Sequence, residues 1–209
     1  MHLYTLNASS WLSERIYSDV NFIIAIIIFF CIATFIPYCV GKYEENKWNG
    51  NKRKTIAGFV LISLLITLNL VSFFDLSLMS FQGYIFTLIL LLASYSDIKT
   101  RECDDYLSVM ILITAFIGIE LTAIPNMFVA SMFTAGIFLF TALTISDGIG
   151  GADIKIASAS VFLLGFSRGI IGLIAGLILA IIVNSIKSKK SGFPMVPYLT
   201  AAFIPAFFI

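Results

Sequence analysis

The sequence predicts an all-α protein, a polytopic integral membrane helix bundle of about eight transmembrane spans. Three observations carry that expectation. Of 209 residues, 59% are hydrophobic and only 12% charged, whereas a soluble globular domain is about half apolar and about a quarter charged. The apolar residues collect in runs, most of them near the roughly 20 residues that cross a bilayer. Eleven of the thirteen Lys and Arg residues fall in alternate connections between those runs, as expected when cytoplasmic loops are enriched in positive charge. A soluble enzyme, a nucleic-acid binder and a disordered scaffold are excluded.

The expected spans are 20–40, 56–74, 82–96, 105–124, 127–146, 154–166, 168–186 and 193–209. Before the first, Glu14, Arg15 and Asp19 form no basic leader region, and no small-residue cleavage site precedes Gly41. The run 20–40 is therefore read as a retained span and not as a signal peptide. Cys31 and Cys39 read as small apolar helix residues. Together with Cys103 they show neither Cys-x-x-Cys nor Cys/His zinc spacing, so no metal and no cofactor is expected. His2, the single histidine, sits at a terminus and has no expected role.

The connection 41–55 is polar and reads as a short cytoplasmic loop. The segment 154–166 is too short to cross unless it begins inside the preceding glycine loop, and Pro194, Pro197 and Pro205 would kink 193–209. The chain divides into 1–81, an N-terminal tail with two upstream helices and their loop, and 82–209, a core region.

Orientation follows from the basic residues. Lys42, Lys47, Lys52, Arg53 and Lys54 lie in 41–55, Lys99 and Arg101 in 97–104, Lys155 in 147–156, and Lys187, Lys189 and Lys190 in 187–192. Arg15 and Arg168 fall on the opposite side. An even number of spans then puts both termini outside the cytoplasm. The net charge of +1 says nothing about partners, and no basic amphipathic or nucleic-acid patch is present.

Of twelve acidic residues, Glu14, Asp19, Glu44, Glu45 and Asp75 belong to termini or loops. Asp97 closes an apolar span, and Asp153 opens another after Gly148-Ile149-Gly150-Gly151-Ala152. The charge pattern puts both on the cytoplasmic membrane face. Acids near hydrocarbon are expensive to ionise and are functional candidates for that reason. Two held together share one proton, which suits hydrolysis: the carboxylate takes a proton from water while the acid polarises a carbonyl. Ordinary interfacial solvation is the competing reading of both. Gly148, Gly150 and Gly151 permit close approach of another chain, as an extended peptide requires; a plain interhelical turn fits them equally well. Lys155 either contacts a carboxylate or only sets topology.

Glu120 reads as interfacial or structural. Glu102, Asp104, Asp105 and Asp147 lie on the face of the pair, as tuning charges, as contacts for a basic leader, or simply as loop and cap residues. Gly169, Gly172 and Gly176 have the small-residue spacing of closely packed membrane helices.

Three blocks carry a family resemblance. The first is Asp97-Ile-Lys-Thr-Arg101-Glu102-Cys-Asp104-Asp105-Tyr106. The second is Gly148-Ile149-Gly150-Gly151-Ala152-Asp153-Ile154-Lys155, with Ala152 where a glycine is usual. The third is Phe193-Pro194-Met195-Val196-Pro197-Tyr198-Leu199, with Val196 where glycine is usual. Over about residues 84–205 the chain resembles type IV prepilin peptidases and archaeal preflagellin peptidases, the prokaryotic branch of the GxGD membrane aspartyl proteases.

The resemblance implies an aspartic endopeptidase in the cytoplasmic (inner) membrane of a prokaryote. It would remove a short basic leader from pilin-like precursors, cutting after a glycine that precedes an apolar helix. Carried over by position, Asp97 and Asp153 are the catalytic pair, and Gly148, Gly150, Gly151 and Lys155 are loop-shaping or substrate-binding. Partners would be the precursor and the lipid bilayer, without nucleic acid. Bifunctional members carry two Cys-x-x-Cys pairs in the first cytoplasmic loop. The segment 41–55 has no cysteine, which argues against their N-methyltransferase activity. The rival reading is a small ion- or proton-coupled transporter built on paired aspartates. No Gly-x-Ser-x-Gly or His-Glu-x-x-His motif points to serine or metalloenzyme chemistry.

Overall fold

The computed structural model describes residues 27, 31, 35, 38, 39, 52–75, 77–101, 103–144, 150–187 and 194–209. All secondary structure among them is helical. The chain forms two compact units, Met1–Leu76 and Ser77–Ile209. Most of the expected first span, and residues 41–51 of the expected loop after it, lie outside the described residues, whereas residues 52–55 of that loop are already helical.

In the first unit, α1 runs from Lys52 to Phe74. Phe59, Ser63, Thr67 and Leu70 are its buried residues, spaced to lie along one face of a helix. Thr67 donates its hydroxyl to the Ser63 carbonyl at 2.8 Å, so the small polar side chain is satisfied within the helix. Leu61, Leu65, Leu68 and Phe73 are exposed on other faces, as suits a lipid-facing surface. Asp75, at φ 52°, leaves the helix in the left-handed conformation, which Asp tolerates better than most residues.

The second unit is organised around α2 (Leu78–Thr100). Ser77 caps its start by accepting the Ser80 N–H at 3.3 Å. Its core residues include Tyr84, Phe86, Leu90 and Ala93, all nearly inaccessible. The helix stops at Arg101, at φ 58°, whose N–H returns to the Asp97 carbonyl. The short α3 (Asp105–Ala115) follows. Gln82 on α2 donates through Nε2 to the carbonyls of Thr114 and Ala115, at 3.2 and 3.3 Å. That side chain adds donors to the carbonyls at the end of α3, where the helix supplies fewer of its own. Gly118, at φ +69°, completes the turn.

After a 3-10 turn at Leu121–Ala123 comes α4 (Ile124–Thr144). Its buried residues form a thin stripe, Met127, Ala130, Thr134 and Phe138. Phe128 packs edge-on against Phe162 of the next helix, with ring centres 5.2 Å apart. That helix, α5 (Gly151–Lys187), is broken at Gly165, where φ 76° and ψ −178° are non-helical. This backbone region is essentially restricted to glycine. A Cβ on Gly169 would lie 3.0 Å from the Val161 Cα, although eight residues of straight helix span about 12 Å. The chain therefore folds back sharply at Gly165.

The last helix, α6 (Val196–Ala206), lies against both α2 and α5. Close approach to α5 is set by glycines. A Cβ on Gly172 would come within 2.8 Å of Phe203 and 3.0 Å of Ala206, and one on Gly176 within 3.0 Å of the Leu199 Cα. The expected packing role of this glycine spacing is thus seen directly, with Gly172 and Gly176 against α6 and Gly169 against the preceding segment of its own helix.

Four helices are long and apolar enough to cross a membrane among the described residues: Ala57–Phe74, Leu78–Thr100, Leu121–Thr144 and Gly151–Ile186. The expected count of about eight is not confirmed. The expected span 105–124 gives way at Ala115, because Gly118 turns the chain and Gln82 caps the helix end. Its helical part, 11 residues, is about 17 Å long. The expected spans 154–166 and 168–186 are joined in α5, with their division at Gly165. The last expected span contributes the 11 residues of α6.

Candidate active site

Two carboxylates come together at one end of the second unit. Asp97 lies in the last turn of α2, only 6% exposed. The first turn of α6 supplies its partners. Val196 donates its backbone N–H to Asp97 Oδ2 at 3.0 Å, and the backbone of Met195 adds a second hydrogen bond. A helix N-terminus has unsatisfied N–H groups and a positive dipole end, and so attracts a carboxylate. Pro197, in the first turn of α6, has no N–H to satisfy and fixes a helical φ. The segment Met195-Val196-Pro197 is therefore suited both to start a helix and to hold an acid.

Asp153 is the third residue of α5. Its carboxylate accepts a backbone hydrogen bond from Gly150, while the Gly150 carbonyl accepts the Ile154 N–H at 3.3 Å. The acid three residues on bonds back to the N–H of the residue that opens the helix, as in one half of a helix N-terminal capping box with Asp in place of Glu, and the Gly150 carbonyl makes the first bond of the helix. A Cβ on Gly150 would approach Asp153 Oδ2 to 3.2 Å, so glycine leaves room beside the carboxylate. Gly151 begins the helix and has open space around it. The charges of Asp97 and Asp153 act on each other.

Cys103 lies between the chain segments that carry the acids. Its Sγ is 3.3 Å from the Ala93 carbonyl, to which it donates. Burial first, then the negative charges of Asp97, Asp153 and Asp104, push its thiol up to about 12. Lys155, one turn into α5, reaches Asp105 at the start of α3 with Nζ 2.7 Å from Oδ1. Both side chains are more than half exposed. Lys155 thus contacts a carboxylate, that of Asp105.

Residues 84–185 match the family model for type IV leader peptidases. This segment belongs to the type IV leader peptidase family. Membership of that family implies a peptidase, and together with the four helices long and apolar enough to cross a membrane it points to a multi-pass membrane protein. Neither the curated proteins nor the solved structures gave a match.

Asp97 lies at the end of α2, and Gly150, Gly151, Asp153 and Lys155 lie at the start of α5. Gly148 lies outside the described residues. Sequence reasoning did not anticipate that the backbone of Met195 and Val196 holds Asp97, or that Cys103 lies beside both acids. The first had a signal: two prolines framing Met195-Val196 mark the start of a helix, and helix starts bind carboxylates. The Cys103 contact had none, because it depends on how the connection from α2 to α3 folds back. Among the described residues, no group of three or more His, Cys, Asp or Glu side chains is arranged to hold a metal.

Proposed function

We propose that the protein is an aspartic endopeptidase that uses Asp97 and Asp153 to remove the short basic leader of type IV prepilin-like precursors. It would act at the cytoplasmic face of a prokaryotic inner membrane. The observation that carries the reading is the pairing of two acids from helix ends 56 residues apart in sequence, one buried and backbone-bonded, with glycine beside the other.

In this mechanism one member of the pair is a carboxylate and the other carries the shared proton. The carboxylate takes a proton from water, and the water oxygen adds to the scissile carbonyl carbon. The protonated acid hydrogen-bonds to the carbonyl oxygen and stabilises the charge that develops there. Collapse of the tetrahedral intermediate breaks the C–N bond. The departing nitrogen takes a proton from the pair, leaving a leader carboxylate and a new amino terminus. Asp97 is held in place by the Val196 N–H on Oδ2 and by the Met195 backbone, so its carboxyl is oriented before substrate arrives.

The precursor is cut where a polar leader meets an apolar helix, so acids at the ends of helices suit the substrate better than acids midway along them. That same location disfavours an ion-coupled carrier. Gly150 and Gly151 leave room for an extended peptide beside Asp153. The absence of cysteine from 41–55 supports proteolysis without N-methylation.

Cleavage of a membrane-embedded prepilin-like substrate by the purified protein tests the proposal. Asp97→Asn and Asp153→Asn should each abolish cleavage while the protein stays folded. Full cleavage by both variants overturns the dyad assignment. Ion flux into liposomes that needs both acids, without proteolysis, would point to the transporter instead.

A further inference from the structure

One turn away from the Asp97–Val196 hydrogen bond, a second and wholly buried polar contact joins the same two helices. Ser94 donates its hydroxyl to Thr200 Oγ1 at 2.6 Å, and Thr200 donates to the Leu90 carbonyl at 3.2 Å. Ser94 Oγ also lies 2.8 Å from that carbonyl. Ser94 and Thr200 are 8% and 4% exposed, so water competes little for these bonds and they count for more than surface ones.

Their location in the fold matters. Ser94 precedes Asp97 by three residues and Thr200 follows Val196 by four, spacings that keep each pair on one helix face. The helices are antiparallel, and the matching continues away from the site. Phe86 meets Phe207 with ring centres 6.2 Å apart, eleven residues before Asp97 and eleven after Val196. The aromatic contact is apolar and tolerates sliding. A hydroxyl clasp with one acceptor geometry does not.

We infer that Ser94 and Thr200 are positioning residues for the reaction, a buried hydroxyl clasp that sets the register of α6 on α2 so that the Val196 N–H reaches Asp97. The clasp touches no reacting atom and acts through α6. Without it, α6 keeps its apolar contacts with α2 and α5, and the bonds from the start of α6 to Asp97 lose the buried polar support one turn away that resists a small slide along α2. A displacement of about 1 Å far from the chemistry is enough to lower a rate severely.

The inference rests on the aspartic-peptidase reading for its catalytic consequence, but its structural core is measurable without activity. Thr200→Val is nearly isosteric and removes both interhelical bonds. Ser94 then keeps the Leu90 carbonyl as its acceptor, so no buried donor is stranded. Residue-resolved amide hydrogen exchange on the full chain in lipid nanodiscs should show Val196 exchanging at least about tenfold faster in Thr200→Val, with Leu199 and Phe203 unchanged. Thr200→Ser should restore protection. Ser94→Ala removes one of the two interhelical bonds and should give an intermediate gain. In cleavage of a prepilin-like substrate, Thr200→Val should lower kcat on the order of tenfold at an unchanged KM.

Unchanged Val196 exchange in Thr200→Val overturns the register role. If that variant does not fold, unchanged exchange in Ser94→Ala does so equally. Faster Val196 exchange in a protein whose Asp97→Asn variant still cleaves would uphold the clasp and overturn the dyad, so the two failures are distinguishable.

Discussion

Val196 donates its backbone N–H to Oδ2 of Asp97 at 3.0 Å, across 99 residues of sequence. The bond links the end of one buried helix to the start of another. It also gives the last helix a part in the site, although none of its side chains is a candidate for chemistry. An acid held this way is fixed in place by backbone groups that a change of side chain in α6 leaves intact.

Substitutions at Asp97 should separate chemistry from folding. Asparagine retains an oxygen that can accept the Val196 N–H, so Asp97→Asn should melt close to the parent while losing cleavage. Alanine strands a buried backbone donor, at a cost of about 1–3 kcal/mol. Thermal unfolding in detergent should therefore rank Asp97→Ala clearly below Asp97→Asn.

Cys103 should be nearly inert toward alkylation. Thiolate is the reactive form, and burial together with the neighbouring carboxylates pushes this thiol from 9.0 to about 12. In a Cys31→Ser, Cys39→Ser background at pH 8, iodoacetamide should modify the folded protein roughly a thousandfold more slowly than the unfolded chain. Because the folded state holds the proton more tightly, the associated stability is fully present below pH 9 and is lost as pH rises toward 12. A folded-state alkylation rate equal to the unfolded one would contradict this environment.

Gly176 and Gly136 should respond oppositely to alanine. A Cβ at Gly176 would meet the Leu199 Cα at 3.0 Å, and backbone cannot rotate away, whereas Gly136 has nothing within 4 Å. Gly176→Ala should lower stability by about 1–3 kcal/mol and reduce cleavage by shifting the helix that carries Val196. Gly136→Ala, in an exposed helix position, should be neutral or stabilising by up to about 1 kcal/mol. Melting temperatures and cleavage rates of the two variants check the pair.

The Lys155–Asp105 contact should matter little to stability. Both side chains are largely exposed, and such pairs contribute about 0–1 kcal/mol. Lys155→Met should therefore unfold near the parent temperature. A raised KM in the same variant would assign Lys155 to substrate binding, and an unchanged KM would leave it as a brace between α3 and α5.

What the sequence determined by itself was whatever hydropathy and short-range chemistry fix. Runs of apolar residues long enough for a bilayer demanded helices, since only helices and closed barrels satisfy their backbone polar groups there. Asp97 and Asp153 stood out because ionisable groups at the ends of such runs are costly. Gly172 and Gly176 announced close packing because nothing larger fits between touching helices.

Tertiary structure decided the rest. Whether the stretch after Asp105 continued past Ala115 depended on Gln82, more than thirty residues earlier, reaching its carbonyls. The fold-back at Gly165 required a φ and ψ that composition does not encode. The partners of Asp97 were fixed only when α6 settled against α2, held by the Ser94–Thr200 contact on one side and the glycines of α5 on the other. Hydropathy sums over neighbours along the chain, whereas a hydrogen bond depends on distance and angle between groups that the chain brings together only after it has packed.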